Sequence, residues 1–186
     1  PSFEITDIPL IEYIASKNKP IIFSTGIAKV KEINEAISTC KKVGNKKIIL
    51  LKCTSAYPAP LKEMNLNTIP DMKNSFNAVV GLSDHSLGIT LPIAAVSLGA
   101  KIIEKHVILD RKLGGPDAKF SLEPQEFKEM IKSIRTVEKA LGKINYKLTK
   151  SAKKNRQLAR SLFVVKNIKT GEILTKENIR SIRPGY

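Results

Sequence analysis

The sequence predicts an α/β protein: the C-terminal five βα units of a (β/α)8 TIM barrel, followed by the beginning of a small β-rich module. Three observations lead there. Short Ile- and Val-rich runs alternate with amphipathic stretches of helical period. The connections between them are short, which favours parallel strands joined by right-handed crossovers. Polar residues gather at the C-terminal ends of the strand candidates, the edge that carries chemistry in barrels and doubly wound sheets. No GxGxxG or Walker A pattern occurs, which disfavours a nucleotide-binding sheet. Five units cannot close an eight-stranded barrel, so about three more are expected before Pro1. The opening Pro1-Ser2-Phe3-Glu4, without an initiator Met, fits a piece of a longer protein.

The strand candidates are Ser2–Ile5, Pro20–Ser24, Lys47–Lys52, Val79–Ser83 and Lys101–His106, all too short for helices. Helical patterns lie between and after them, at Pro9–Ser16, Val30–Val43, Leu66–Phe76, Ile89–Leu98 and Gln125–Leu141. The second carries Val30, Ile33, Ile37 and Cys40 on one face. The last repeats the pattern with Phe127, Met130, Ile131, Ile134, Val137 and Leu141. Its start is marked by Ser121, Glu123 and Pro124, and Gly142 ends it. Beyond Gly142 the character changes. Residues 143–157 read as a polar, basic linker ending in a short helix. Residues 158–186 read as a truncated β-rich module, with strands at Ser161–Val165 and Ile179–Ile182, a turn at Lys169–Glu172 and one helical turn at Thr175–Asn178.

Hydrophobic residues make up 42% of the chain and charged residues 26%, the balance of a soluble globular protein. No apolar run approaches the ~20 residues of a membrane span. The two cysteines, Cys40 and Cys53, form no CxxC pair and read as buried thiols in a reducing, cytoplasmic setting. The formal charge of +15 raises the question of a nucleic-acid or membrane partner. The lysines are scattered over helices and turns, there is no Trp, and no nucleic-acid motif appears. A solvated basic surface that attracts anionic substrates is the simpler reading, and neither a nucleic acid nor a membrane is expected as a partner.

The most informative constellation is the chain's only two histidines, His85 and His106, twenty-one positions apart with one helix between them. Both therefore end consecutive parallel strands at the same edge. Strands lie about 4.8 Å apart, so two inward-facing imidazoles can share one metal ion. A strand-end histidine also serves as a hydrogen-bonded structural residue. Alternation puts Ser83 with His85, and Glu104 with His106, on one face. Other polar positions share this edge. Ser24-Thr25-Gly26 offers hydroxyls and amides to a phosphate, or forms an ordinary turn. Glu4 suits acid–base work or a structural ion pair. Tyr57, in a loop stiffened by Pro58 and Pro60, covers a substrate or packs. Asp117, after Gly114-Gly115-Pro116, accepts hydrogen bonds from sugar hydroxyls or caps a turn.

Four motifs then occur in order: Cys53-Thr54-x-x-Tyr57-Pro58-x-Pro60, Gly81-Leu82-Ser83-Asp84-His85-Ser86-Leu87-Gly88, Ile103-Glu104-Lys105-His106, and Gly114-Gly115-Pro116-Asp117 followed by Ser121-Leu122-Glu123-Pro124. Together they resemble the signature of the sialic acid synthase family, over essentially the whole chain. That resemblance implies a (β/α)8 barrel followed by a small antifreeze-like (SAF) domain. The segments Ser161–Val165 and Ile179-Arg180-Ser181-Ile182-Arg183-Pro184-Gly185 resemble the opening of the latter. It further implies condensation of phosphoenolpyruvate with an acetamido-hexose on a divalent metal, usually Mn2+, with Mg2+ or Co2+ as alternatives.

By the same resemblance His85 and His106 match the metal ligands, and Glu4 an acidic residue near the reacting carbons that orients or deprotonates the attacking water. Ser2, Ser24 and Ser83 match phosphoenolpyruvate contacts. Tyr57 and Asp117 match contacts to the acceptor sugar. Arg183 resembles an arginine that reaches into the partner's site of a domain-swapped homodimer. Ser55 departs from the pattern of the neuraminate enzymes, where Asn is expected in a phosphoenolpyruvate contact. The segments Ser2–Ile11, Leu51–Tyr57 and Gly114–Ser121 look like the pseudaminic acid branch of the family, ahead of the legionaminic and neuraminic branches. Two other classes compete: a basic polyanion-binding module, and a metal-dependent aldolase that uses pyruvate.

Overall fold

The structure, a computed structural model, describes residues 1–183. The chain divides into two units at Gly142. The first contains a parallel sheet in chain order, β1 (Ile21–Ser24), β2 (Ile48–Cys53), β3 (Val79–Asp84) and β4 (Ile102–Lys105). Its helices are α1 (Ile8–Ser16), α2 (Val30–Lys42), α3 (Thr68–Phe76), α4 (Thr90–Ser97) and α5 (Pro124–Leu141). The sheet is open, and the architecture is that of a parallel half-barrel.

The expected strand at Ser2–Ile5 does not form. Ser2–Glu4 is a 3-10 turn instead, so the sheet has four parallel strands rather than five. Local hydrogen bonds account for this. Glu4 N–H bonds the Pro1 carbonyl, Ile5 N–H the Ser2 carbonyl, and Asp7 N–H the Glu4 carbonyl. These bonds occupy the groups a ladder would need. Asp7 then caps α1, its Oδ1 accepting from Leu10 N–H at 3.0 Å, and Pro9 sits in the first turn. Ile5 still reaches the core, with 1% exposure.

The other elements follow their sequence patterns. At the start of α2, Glu32 reaches back to the Lys29 N–H at 2.7 Å. Its buried face is Ile33, Ala36, Ile37, Thr39 and Cys40, while Val30, expected on that face, lies exposed. In α5 Met130 and Ile134 are buried, whereas Ile131 and Leu141 are exposed. Glu123 N–H bonds Glu126 at 2.9 Å, Pro124 opens the helix, and Gly142 ends it at φ 52°. The main core lies between the sheet and α1–α3, built on Ile5, Leu50, Ile69, Val80 and Leu82. A smaller cluster of Val96, Leu122, Met130 and Ile134 joins α4 to α5. Each such aliphatic side chain contributes about 1.5–3 kcal/mol of burial. Fully buried Asn45 bonds the Ala15 and Lys19 carbonyls and the Lys47 N–H, tying the end of α1 to the start of β2.

Gly81 sets the approach of β3 to β4. A methyl there would overlap the Ile102 carbonyl and come within 2.6 Å of the Leu51 side chain. The second unit carries α6 (Lys150–Arg156) and an antiparallel pair, β5 (Ser161–Val164) and β6 (Ile179–Ile182). Arg183 follows β6 and is exposed. Pro184 and Gly185, which end the motif noted above, lie outside the described residues.

Candidate active site

Register places the site. Ser83 stands opposite Glu104, and Asp84 opposite Lys105, so the next residues, His85 and His106, leave adjacent strands at the same level. Their ring centroids are 5.2 Å apart at 63°. The sheet does what the spacing anticipated: the two imidazoles share one face at the C-terminal edge.

His85 is buried and anchored. Its Nδ1 lies 3.2 Å from the Thr54 carbonyl and 3.9 Å from the Cys53 sulfur. A carbonyl only accepts, so Nδ1 carries the proton and the Nε2 lone pair is left free. Burial disfavours the imidazolium, yet contacts with Cys53 and the Thr54 carbonyl outweigh it and raise the His85 pKa. Burial pushes the Cys53 thiol up, but bonds to His85, Ser2 and Ser55 pull it below its ordinary value. On the neighbouring strand, His106 Nδ1 lies 3.5 Å from Asp117 Oδ2.

Aromatic packing completes this half of the site. The Tyr57 ring stands 4.4 Å from His85 and is half exposed. Phe120, 2% exposed, lies 5.0 Å from His106, 5.7 Å from Tyr57 and 6.1 Å from His85. The loop bearing Asp117 and Phe120 is closed at its base. Leu122 N–H bonds the His106 carbonyl at 2.9 Å and Ile108 N–H the Leu122 carbonyl at 3.0 Å. Arg111 ties the same loop to α5 through Glu126, at 2.8 Å from Nη2, and braces the loop itself by donating to the Ser121 carbonyl.

A second cluster adjoins the first through Cys53. Gly26 N–H donates to Ser2 Oγ at 3.0 Å. A Cβ on Gly26 would meet Ser55 Oγ, with Ser2 Oγ at 2.9 Å and Cys53 Sγ at 3.0 Å. Ser2, Ser55 and the Gly26 amide thus converge, and Cys53 lies 3.9 Å from both Ser55 Oγ and His85 Nδ1. Ser24 is buried at the end of β1, two residues before Gly26. Ser83 donates its one hydroxyl proton to Glu104 at 2.6 Å, so donating to an anion requires breaking that bond.

Of the predicted site residues, the structure links Ser2, Ser55, Tyr57, His85, His106 and Asp117 through this set of contacts, with Ser83 on the same strand end. Glu4 lies exposed on the N-terminal 3-10 turn, and among the described residues its side chain makes no hydrogen bond or ion pair. Arg183 belongs to the second unit. Sequence reasoning gave no site role to Cys53, read as a buried thiol that opens the first of the four motifs, and none to Phe120. It placed Glu104 on the histidine face without assigning it a partner. The available signal was position: Cys53 ends β2 at the edge where the histidines directly follow β3 and β4. A cavity of about 600 Å³ lined by Lys73, Asn77, Gly99 and Lys101 lies at the opposite ends of the strands, away from these groups. Among the described residues no helix is long and apolar enough to cross a membrane.

A parallel half-barrel with paired histidines, a carboxylate and hydroxyls at its C-terminal strand edge defines the class: an α/β protein with a barrel-type functional edge. The chain belongs to the NeuB family, whose model matches residues 1–146. It is 47% identical over 185 residues to a pseudaminic acid synthase of Campylobacter jejuni subsp. jejuni serotype O:23/36, covering 100% of this chain and 54% of that protein. It is 48% identical over 187 residues to an N,N'-diacetyllegionaminic acid synthase of C. jejuni serotype O:2, covering 99% of this chain and 56% of that one. Among solved structures, the N-acetylneuraminic acid synthetase of Leptospira borgpetersenii, in complex with citrate, matches with a TM-score of 0.77 and 36% identity, over 84% of this chain and 54% of that one. The chain spans about half the length of these relatives.

Proposed function

We propose that the protein to which this chain belongs condenses phosphoenolpyruvate with 2,4-diacetamido-2,4,6-trideoxy-altrose, releasing phosphate and forming pseudaminic acid. The observation that carries this is the junction of two clusters through Cys53. One holds hydroxyl and amide groups suited to an anion; the other pairs imidazoles with a carboxylate and an exposed aromatic ring. The names of the relatives support a nonulosonic acid product, and the pseudaminic branch is favoured by the segments around Phe3 and Asp117.

The donor set fits a divalent cation. His85 keeps Nε2 free because Nδ1 is spent on Thr54, and His106 stands beside it, while no third His, Cys, Asp or Glu completes a cluster among the described residues. Two imidazoles would hold such an ion while leaving it open to water or substrate. Mn2+ is our assignment, with Mg2+ and Co2+ as alternatives; when bound, the ion polarises the acceptor's aldehyde oxygen as a Lewis acid.

The chain's own groups do the rest. The Ser2–Gly26–Ser55 cluster, with Ser24, holds the anionic groups of phosphoenolpyruvate while its C3 attacks the aldehyde carbon. Water then adds at C2 and phosphate leaves. Glu4, whose carboxylate makes no ion pair or hydrogen bond among the described residues, accepts the proton from that water. Asp117 accepts from sugar hydroxyls, and the Tyr57 ring face covers the sugar. The second unit is proposed as the beginning of an SAF domain, with Arg183 serving the site of a second copy in a swapped dimer.

The test is phosphate release by the intact protein from phosphoenolpyruvate, with the pseudaminate precursor, the legionaminate precursor and N-acetylmannosamine as acceptors. The first is expected to turn over fastest, only with a divalent metal, and His85→Ala to abolish turnover. Preference for the legionaminate precursor, or for N-acetylmannosamine, overturns the sugar assignment. Metal-independent turnover overturns the role given to the histidines. Use of pyruvate without phosphate release overturns the reaction.

A further inference from the structure

We propose that the buried Asp84–Lys105 ion pair is a positioning strut that sets the spacing and aim of His85 and His106; this rests on the reading of those histidines as a divalent-cation site. Each member of the pair directly precedes one histidine, and the two stand opposite each other in the β3–β4 register. By strand alternation their side chains leave the sheet on the face away from the histidines. There the pair closes at 2.7 Å with both side chains fully buried.

The hydrogen bonds around the pair are directed at the backbone that carries His85. Asp84 Oδ1 accepts from the Ser86 N–H at 2.9 Å, and Lys105 Nζ donates to the Ser86 carbonyl as well as to Asp84 Oδ2. Residues 84 and 86 are therefore both gripped, and His85 between them loses its freedom to rotate about the strand end. Through Lys105 the same grip is fixed to the residue next to His106. Among the described residues Ser86 Oγ is buried without a hydrogen-bond partner, so the hydrogen bonds that hold this residue are those of its main chain.

Stability does not explain the arrangement. Desolvating two charges costs about as much as their attraction returns, and apolar replacements of such pairs are often neutral or stabilising. What a buried, directional pair supplies is a defined geometry across two strands, which a metal site built on only two imidazoles needs. Groups that orient metal ligands typically change affinity by about 10–100-fold when removed.

Lys105→Met alone strands a buried carboxylate, so loss of fold would be uninformative. The deciding variant is Asp84→Asn/Lys105→Met in the intact protein. It keeps an acceptor for the Ser86 N–H, removes both charges and cuts the bridge between strands. Mn2+ binding to the metal-free protein is read by electron paramagnetic resonance titration, beside thermal unfolding, for the parent, His85→Ala and the double variant. The strut predicts a double variant that unfolds within a few degrees of the parent and binds Mn2+ about 10-fold or more weakly. A double variant that binds within about 3-fold of the parent overturns the strut and leaves the metal site standing, since that span is well below the usual outer-shell effect. One that fails to fold also overturns it, making the pair a stability element. A parent that binds no Mn2+, or His85→Ala that binds it undiminished, overturns the metal site itself and the strut with it.

Discussion

Replacing Phe120 tests whether the loop after β4 is held over the histidines by its own aromatic anchor. The ring is 2% exposed and contacts His85, His106 and Tyr57. A buried Phe removes about 150–250 Å² from water. At about 25 cal/mol per Å² that is ~4–6 kcal/mol as an upper bound. Truncation to Ala usually costs about 3–5 kcal/mol. A domain has only about 5–15 kcal/mol in hand, so Phe120→Ala brings the protein close to unfolding. Phe120→Leu, which keeps most of the volume, is expected to cost ~1–1.5 kcal/mol. Urea denaturation of the intact protein should show the midpoint falling in that order at unchanged slope. A cycle pairing Phe120→Leu with Tyr57→Leu should yield a coupling of about 0.5–1.5 kcal/mol. A loss below ~1 kcal/mol for Phe120→Ala, or strict additivity in the cycle, refutes the anchor.

Gly81→Ala should destabilise by about 1–3 kcal/mol, because its methyl meets the Ile102 carbonyl, a backbone atom that cannot rotate away. Unchanged thermal stability would mean that β3 and β4 are not as close as described. The Arg111 guanidinium and the Glu123 N–H hold the Glu126 carboxyl at about 2, well under its ordinary 4.5. The unfolded chain binds the proton first on acidification, so this contribution is complete above about pH 4.5 and is lost as pH falls towards 2. The stability gap between the parent and Glu126→Gln should therefore close over that window, modestly, since both side chains are more than a third exposed. A gap that widens as pH falls would contradict the pairing.

Local pattern carried much of this protein. The runs at 21–24, 48–53, 79–84 and 102–105 are short and β-branched, and the stretches at 30–42 and 124–141 have an apolar face of helical period; none of these needs a distant partner to be recognised. The two histidines were legible for the same reason. One helical crossover between consecutive strands returns the chain to the same edge, so equal positions on the two strands become neighbours. Ser2–Ile5 was misread because its composition suits a strand, while the turn bonds to Pro1, Ser2 and Glu4 were available first.

What only the tertiary structure decided is who faces whom. That Cys53 bridges the serine cluster to His85, that Ser83 gives its proton to Glu104, and that Phe120 lies against three rings all depend on register, loop path and burial. The same holds for Asp84 and Lys105, twenty-one positions apart yet fully buried as a pair. Sequence periodicity determines which side of an element a residue occupies. The partner across the gap is settled only when strands align and water is excluded, because a buried polar group must then find its hydrogen bond within the protein.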